Sequence, residues 1–246
     1  SRGNKVEIRG DLGSYTLKRV FLSEKEKLDY YDGFSNQTLW PLCHIAYERP
    51  SFEKDWFANY QKVNQYFAKA ISEEMKPNSF IWIHDYQLSL VPSMLRKPKG
   101  ATIGMFWHIP WPTWEIFRIL PQKTEILESL LSCDFLAFHR GYQVRNFLDT
   151  VRRELEVRID EETNRVYYKN RVTTVKNLPM GIDVDVIKGL LEENPPETLV
   201  GNIVNTLIGK KDKMDKRSIL DEFFKKNDVI VGIDRLDHTK GLKSRL

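Results

Sequence analysis

Cysteine is scarce in this sequence: two residues, Cys43 and Cys133, among 246. They stand far apart inside apolar stretches, with no CxxC spacing, so they read as buried free thiols of a reducing compartment and exclude a disulfide-built scaffold. Long apolar runs are missing as well. The longest are strand-sized and interrupted, well short of the ~20 residues of a membrane helix, and the first residues carry no signal-peptide core; a soluble, cytoplasmic protein is the expectation. Nor is one sign of charge in excess. Thirty-eight Lys and Arg against 34 Asp and Glu leave a net charge of +4, spread along the chain and too weak to argue for nucleic acid.

Several catalytic signatures are absent too. No HxxxH, HxH or second His-Asp pair supplies the three or four convergent donors of a metal site, so His84-Asp85 does not argue for one. No GxSxG elbow is present, and neither cysteine has a charged, exposed setting that would activate it. No Walker A loop occurs and no GxGxxG follows a strand, which weakens nucleotide-hydrolysis and dinucleotide readings.

What is present is a chain with 41% hydrophobic residues, long enough to bury a sizeable core. Two short alternating stretches, residues 5–9 and 15–20, flank a turn-like Gly10-Asp-Leu-Gly13 and read as a sheet entered partway. Over residues 52–75, Trp56, Tyr60, Val63, Phe67 and Ala70 recur every three or four positions among polar residues, which predicts a helix with one buried stripe. Three apolar runs follow, Phe80-Ile-Trp-Ile-His84, Ala101-Thr-Ile-Gly-Met-Phe-Trp107 and Cys133-Asp-Phe-Leu-Ala-Phe138, with helix-like segments between them. Strands alternating with helices predict an α/β, Rossmann-like domain whose parallel sheet is covered on both faces. Residues 157–178 break the rhythm with a predicted hairpin and a returning strand. The stretch 192–196 resembles a linker, and Val229-Ile-Val-Gly-Ile233 opens a second α/β unit, so residues 1–195 and 196–246 are expected to be two domains, the second only begun.

Ligands of open parallel sheets bind beyond the carboxyl ends of the strands. Asp85, His108 and His139 each stand at that position on a different strand, where a polar residue either reaches a ligand or simply caps the next helix. In Asp234-Arg-Leu-Asp-His-Thr-Lys-Gly241, a strand leads into a loop carrying Arg235 and Lys240, and Gly241 permits close backbone approach before the next helix. Two cations of different geometry suit a diphosphate, though an ordinary surface loop has the same composition. Tyr30-Tyr-Asp-Gly-Phe-Ser-Asn-Gln-Thr-Leu-Trp-Pro-Leu-Cys-His44 sets aromatic rings beside hydroxyl, amide and imidazole groups, as sugar recognition requires. Core packing explains Phe34 and Leu39 equally well, which leaves Tyr31 and Trp40 ambiguous.

Together these blocks, with Glu115-Ile-Phe-Arg-Ile-Leu-Pro121 and Leu178-Pro-Met-Gly-Ile-Asp183, resemble the trehalose-6-phosphate synthase family, retaining glycosyltransferases of the GT-B fold, in the family's order across nearly the whole chain. The resemblance implies glucosyl transfer from UDP-glucose to glucose 6-phosphate with no metal or other cofactor. It also implies an N-terminal acceptor-binding domain, a nucleotide-sugar-binding second domain, and a homo-oligomer or larger synthase complex as a partner state. Tyr31 and Trp40 would bind the acceptor, and Asp85 would hydrogen-bond its hydroxyls. His108 would hold the donor glucose, and Arg235 and Lys240 the diphosphate. The family's first strand and Gly-rich loop have no counterpart before Lys5, and the later half of its second domain lies beyond Leu246, so residues 1–246 alone are expected not to turn over. Two rivals remain: a glucosylglycerol-phosphate synthase with the same donor, and a non-catalytic synthase-like regulatory subunit.

Overall fold

The computed structural model describes residues 4–10, 13–45, 49–95 and 98–193. The chain divides into two units, Ser1–Met180 and Gly181–Leu246. Of the second unit only its first part is described, ending in helix Val184–Glu193. There the Asp183 carboxylate accepts the N–H groups of Asp185 and Val186, which caps the helix. The predicted strand 229–233, Arg235 and Lys240 lie outside the described residues.

In the first unit, β1 (Lys5–Gly10) and β2 (Gly13–Lys18) form an antiparallel hairpin that is a two-stranded sheet of its own, not an edge of the main sheet. Lys5 and Lys18 tie it to Glu73 and Glu74 through exposed ion pairs, worth little individually. A capping box starts α1 (Glu24–Lys27): the Ser23 side chain accepts the Glu26 N–H and the Glu26 carboxylate accepts the Ser23 N–H. The chain then winds as a π-helix from Leu28 to Leu39 and as α2 from Trp40 to His44. Ser35 Oγ donates to the Tyr30 carbonyl five residues back, and the Trp40 N–H bonds the Ser35 carbonyl, which sustains the wider winding. Gly33 is needed there, because a Cβ at this position would lie 2.6 Å from the Trp56 indole. The expected long helix is α3 (Lys54–Ser72), with Tyr60, Val63 and Ala68 buried.

The main sheet has the order β3-β4-β5-β8-β7-β6. Its strands are β3 (Phe80–His84), β4 (Thr102–Trp107), β5 (Phe135–Phe138), β6 (Arg158–Asp160), β7 (Arg165–Tyr168) and β8 (Arg171–Asn177). The strands β3, β4, β5 and β8 run parallel, while β6 and β7 return antiparallel as the predicted hairpin. Four helices connect or follow these strands: α4 (Val91–Met94), α5 (Trp114–Phe117), α6 (Lys123–Leu130) and α7 (Gly141–Glu154).

Alternation assigns the two faces. Ile81, Ile83, Met105, Trp107 and Phe138 point into one buried core shared with Tyr60, Phe117 and Phe147. The opposite face carries a second layer of rings. Phe135 covers Gly104, where a Cβ would stand 2.2 Å from its ring, and packs against Phe80 and Trp82. Among the described residues this second face is buried at Phe106 and Ala137 but open at its β3 edge, where Phe80 is 62% exposed and Trp82 and Phe135 are half-buried. Both cysteines are buried and free, as expected, and burial holds their thiols well above the ordinary range. No described helix is long and apolar enough to cross a membrane.

Candidate active site at the carboxyl ends of the parallel strands

Each of β3, β4 and β5 runs out into a polar residue on the second face. The Asp85 N–H bonds the Phe106 carbonyl at 2.8 Å and so continues the β3–β4 ladder by one step. The backbone then turns at φ 75°, ψ 165°, a region that costs a non-glycine residue on the order of 1–3 kcal/mol. The Asp85 side chain helps to hold that turn. Its Oδ1 accepts the Tyr86 N–H at 2.9 Å, capping the 3₁₀ turn Tyr86–Leu88, and the His108 N–H at 3.0 Å, fixing the end of β4. The capping role is therefore realised, and the same oxygen bridges two strand ends. Asp85 Oδ2 accepts no hydrogen bond among the described residues.

Three imidazoles lie beside this carboxylate. His84 Nδ1 and His108 Nε2 are 2.8 Å apart with the rings stacked, and the His139 ring stands edge-on to His108 with centroids 5.5 Å apart. Phe106 packs against both His108 and His139. Burial pushes the His108 pKa below the usual histidine value; Asp85 opposes that shift, and His84 and His139 reinforce it. A neutral His108 at pH 7 is a hydrogen-bonding group and not a charge. Among the described residues, no group of three or more His, Cys, Asp and Glu is arranged to hold a metal ion.

The aromatic block of residues 30–44 is pinned to this end of the sheet. Tyr86, next to Asp85, donates its hydroxyl to Asn36 Oδ1 of the π-helix at 2.8 Å. The buried Tyr60 hydroxyl bonds the Tyr86 carbonyl and Ser89, which fixes the turn from below. Tyr31 lies on the π-helix and is 42% exposed. Trp40 opens α2 and stacks on His44 at 3.8 Å between centroids, and His44 Nδ1 donates to the Trp40 carbonyl. Burial lowers the His44 pKa, while that backbone bond and Asp85 raise it, so Asp85 acts on α2 across the gap.

Of the residues singled out in the sequence, Asp85, His108 and His139 thus converge, and Tyr31 and Trp40 sit on the block tied to them. Sequence reasoning weighed His84 only as a metal ligand, held Asn36 and His44 only as part of the aromatic block, and missed Tyr86. The alternation Phe80, Trp82, His84 carried the signal for His84, since it places that ring on the same face as the end of β4.

The model of glycosyltransferase family 20 matches residues 4–246. The chain belongs to glycosyltransferase family 20. Among curated members, it is 38% identical over 250 residues to the 56 kDa subunit of the UDP-forming alpha,alpha-trehalose-phosphate synthase of Saccharomyces cerevisiae, covering 98% of this chain and 46% of that one. It is also 38% identical to the Candida albicans synthase, covering 98% and 48%. Among solved family 20 structures, the E. coli protein bound with UDP-2-fluoro glucose superposes with a TM-score of 0.78 at 27% identity, over 99% of this chain and 50% of the other. The Burkholderia xenovorans synthase gives 0.78 at 30% identity over the same shares, and a B. xenovorans structure in complex with glucose-6-phosphate gives 0.72 at 27% identity, over 86% and 48%. The fold class is the α/β, GT-B type of these relatives. The chain spans about half the length of the relatives it matches.

Proposed function

We propose that the protein to which this chain belongs transfers glucose from UDP-glucose to glucose 6-phosphate with retention, releasing UDP and trehalose 6-phosphate. The observation that carries the reading is Asp85, a carboxylate at a strained strand end that bonds the His108 backbone and leaves one oxygen turned to no described partner. The names of its family 20 relatives, and the UDP-glucose analogue and glucose-6-phosphate in two solved relatives, support the choice of substrates.

In this reading Tyr31 and Trp40 bind the phosphosugar acceptor, and Asp85 Oδ2 accepts a hydrogen bond from one of its hydroxyls. Two backbone N–H groups already hold Asp85 Oδ1, so this carboxylate orients the acceptor and is not a nucleophile. His108, neutral at pH 7, holds a hydroxyl of the donor glucose. Arg235 and Lys240 grip the diphosphate, and because negative charge grows there as the C1–O bond breaks, they act on the transition state more than on the bound substrate. The acceptor oxygen forms its bond to C1 on the face the diphosphate leaves, and its proton passes to a phosphate oxygen of the departing UDP. These groups need no metal. Residues 1–195 serve as the acceptor-binding domain and 196–246 begin the nucleotide-sugar domain, in a cytoplasmic enzyme that works as a homo-oligomer or within a larger synthase complex.

The test is UDP release from UDP-glucose by the full-length protein, with glucose 6-phosphate and glycerol 3-phosphate compared as acceptors. Release dependent on glucose 6-phosphate is expected. Preference for glycerol 3-phosphate assigns a different acceptor, and release with neither leaves a sugar-phosphate-binding regulatory subunit.

A further inference from the structure

We propose that His84 is a positioning residue, which holds the His108 imidazole in one orientation and one tautomer through the bond between His84 Nδ1 and His108 Nε2. The inference deepens the proposed function and rests on its assignment of His108 to the donor glucose.

At 2.8 Å only one proton fits between the two nitrogens, so one ring donates and the other accepts. His108 Nε2 is thereby committed to His84, and Nδ1 is the one ring nitrogen left for a ligand. The backbone of the same residue is committed as well, since its N–H bonds Asp85 Oδ1 at 3.0 Å. The last residue of β3 and the one after it therefore fix the residue after β4 twice, one through its ring and one through its main chain.

Phe106, with centroids 4.5 Å apart, and the edge-on His139 pack against the partly exposed His108 ring. With the ring held by these contacts and by the bond to His84, the point left to settle is which nitrogen carries the proton. His84 decides it. A donating His84 leaves the His108 proton on Nδ1, facing a ligand acceptor; an accepting His84 leaves Nδ1 as an acceptor for a sugar hydroxyl.

A shared metal does not explain the pair. Two imidazole nitrogens on one zinc, each ~2.1 Å from it in tetrahedral geometry, stand roughly 3.4 Å apart, well beyond the separation found. Nor is His84 a freely turning surface ring. It is exposed, but the Trp82 indole packs edge-to-face against it at 5.3 Å and restricts its rotation.

The experiment compares the full-length wild type with His84→Phe, which keeps a ring and removes the nitrogen, and His84→Asn, which keeps a hydrogen-bonding group near the Nδ1 position. Steady-state UDP release gives kcat and both KM values, and long-range 1H–15N spectra of the histidine ring nitrogens report the His108 tautomer. His84→Phe is expected to lower kcat about tenfold with the KM for glucose 6-phosphate unchanged within about twofold, the mark of a misplaced donor contact. It also turns a single His108 tautomer into a mixture, and His84→Asn restores both the rate and the single tautomer. A His84→Phe protein with the wild-type kcat and an unchanged His108 spectrum overturns the proposal. If the wild type releases no UDP with either acceptor, the proposed function fails on its own. The ring spectra then still decide the pairing: a tautomer shift in His84→Phe supports it and identical spectra refute it.

Discussion

The two ends of the parallel sheet use the same device and differ in everything around it. At the carboxyl end Asp85 accepts the His108 N–H of the neighbouring strand, and at the amino end Asp134 accepts the Ile103 N–H at 2.7 Å. Each aspartate pins a strand terminus that the ladder alone would leave loose. At the amino end Asn78 and Gly100, ahead of β3 and β4, take the positive φ that asparagine and glycine tolerate, and the buried Thr173 hydroxyl donates to the carbonyls of Leu131 and Cys133. A cavity of about 760 Å³ opens there, lined by Ser132, Asp134 and Arg171, each of which bonds a neighbouring segment: Ser132 the Glu128 carbonyl, Asp134 the Ile103 N–H and Arg171 the Ser132 carbonyl. The carboxyl end holds an aspartate, Asp85, at a costly φ/ψ, leaves one of its oxygens to no described partner and brings the rings of His84, His108 and His139 together. What sets the carboxyl end apart is Asp85, strained and with one oxygen bonded to no described partner, beside converging imidazoles.

The contrast can be broken most forcefully by neutralising each aspartate in turn. Asp85→Asn keeps a side chain that tolerates positive φ and is expected to lower UDP release on the order of a hundredfold, whereas Asp134→Asn leaves the rate within about twofold. Equal losses in a steady-state assay would erase the distinction. Gly104→Ala, midway between the ends, drives a methyl into the Phe135 ring and should cost about 2–3 kcal/mol in urea denaturation, showing that the second aromatic face is close-packed. Asp134→Ala strips the Ile103 N–H of its acceptor and should cost about 1–2 kcal/mol of stability, with catalysis retained. An unchanged unfolding midpoint would deny the amino end its structural role.

The smallest effect separates the ends by pH. Because the folded His108 pKa is lowered, the unfolded chain binds the proton more readily, and the wild type loses stability as pH falls through 6.5, the ordinary histidine value. Asp85, His84 and His139 set the field in which this occurs. His108→Phe removes that liability, so its stability relative to the wild type should rise between pH 8 and pH 5. Parallel stability curves for the two proteins would contradict the assignment.

Much of this was legible in the residues. Apolar runs ending at polar positions located β3, β4 and β5 and hence Asp85, His108 and His139; the spacing of Tyr60 and Val63 located α3; and the β-rich stretch 157–178 gave β6 to β8. The block Tyr30 to His44 was not legible as structure. A π-helix bonds over five residues and leaves no 3.6-residue stripe, and Gly33, Asn36 and Pro41 suggest a loop. Gly33 serves instead to admit the Trp56 ring. The hairpin β1–β2 alternated as any strand pair does, and nothing in that pattern says which sheet it joins. His84 was passed over because its partner depends on the β3–β4 register, which pairs His84 with Phe106 and so brings its ring to His108; apolar runs locate strands but not their register.

The central claim, that the acceptor sugar seats at the Asp85 end, is tested most directly by titrating the full-length protein with glucose 6-phosphate and following backbone amide signals. The Tyr86 and His108 amides, both bonded to Asp85, are expected to shift with added ligand while the Ile103 amide, bonded to Asp134, stays in place. Movement of Ile103 with Tyr86 and His108 unmoved would contradict it.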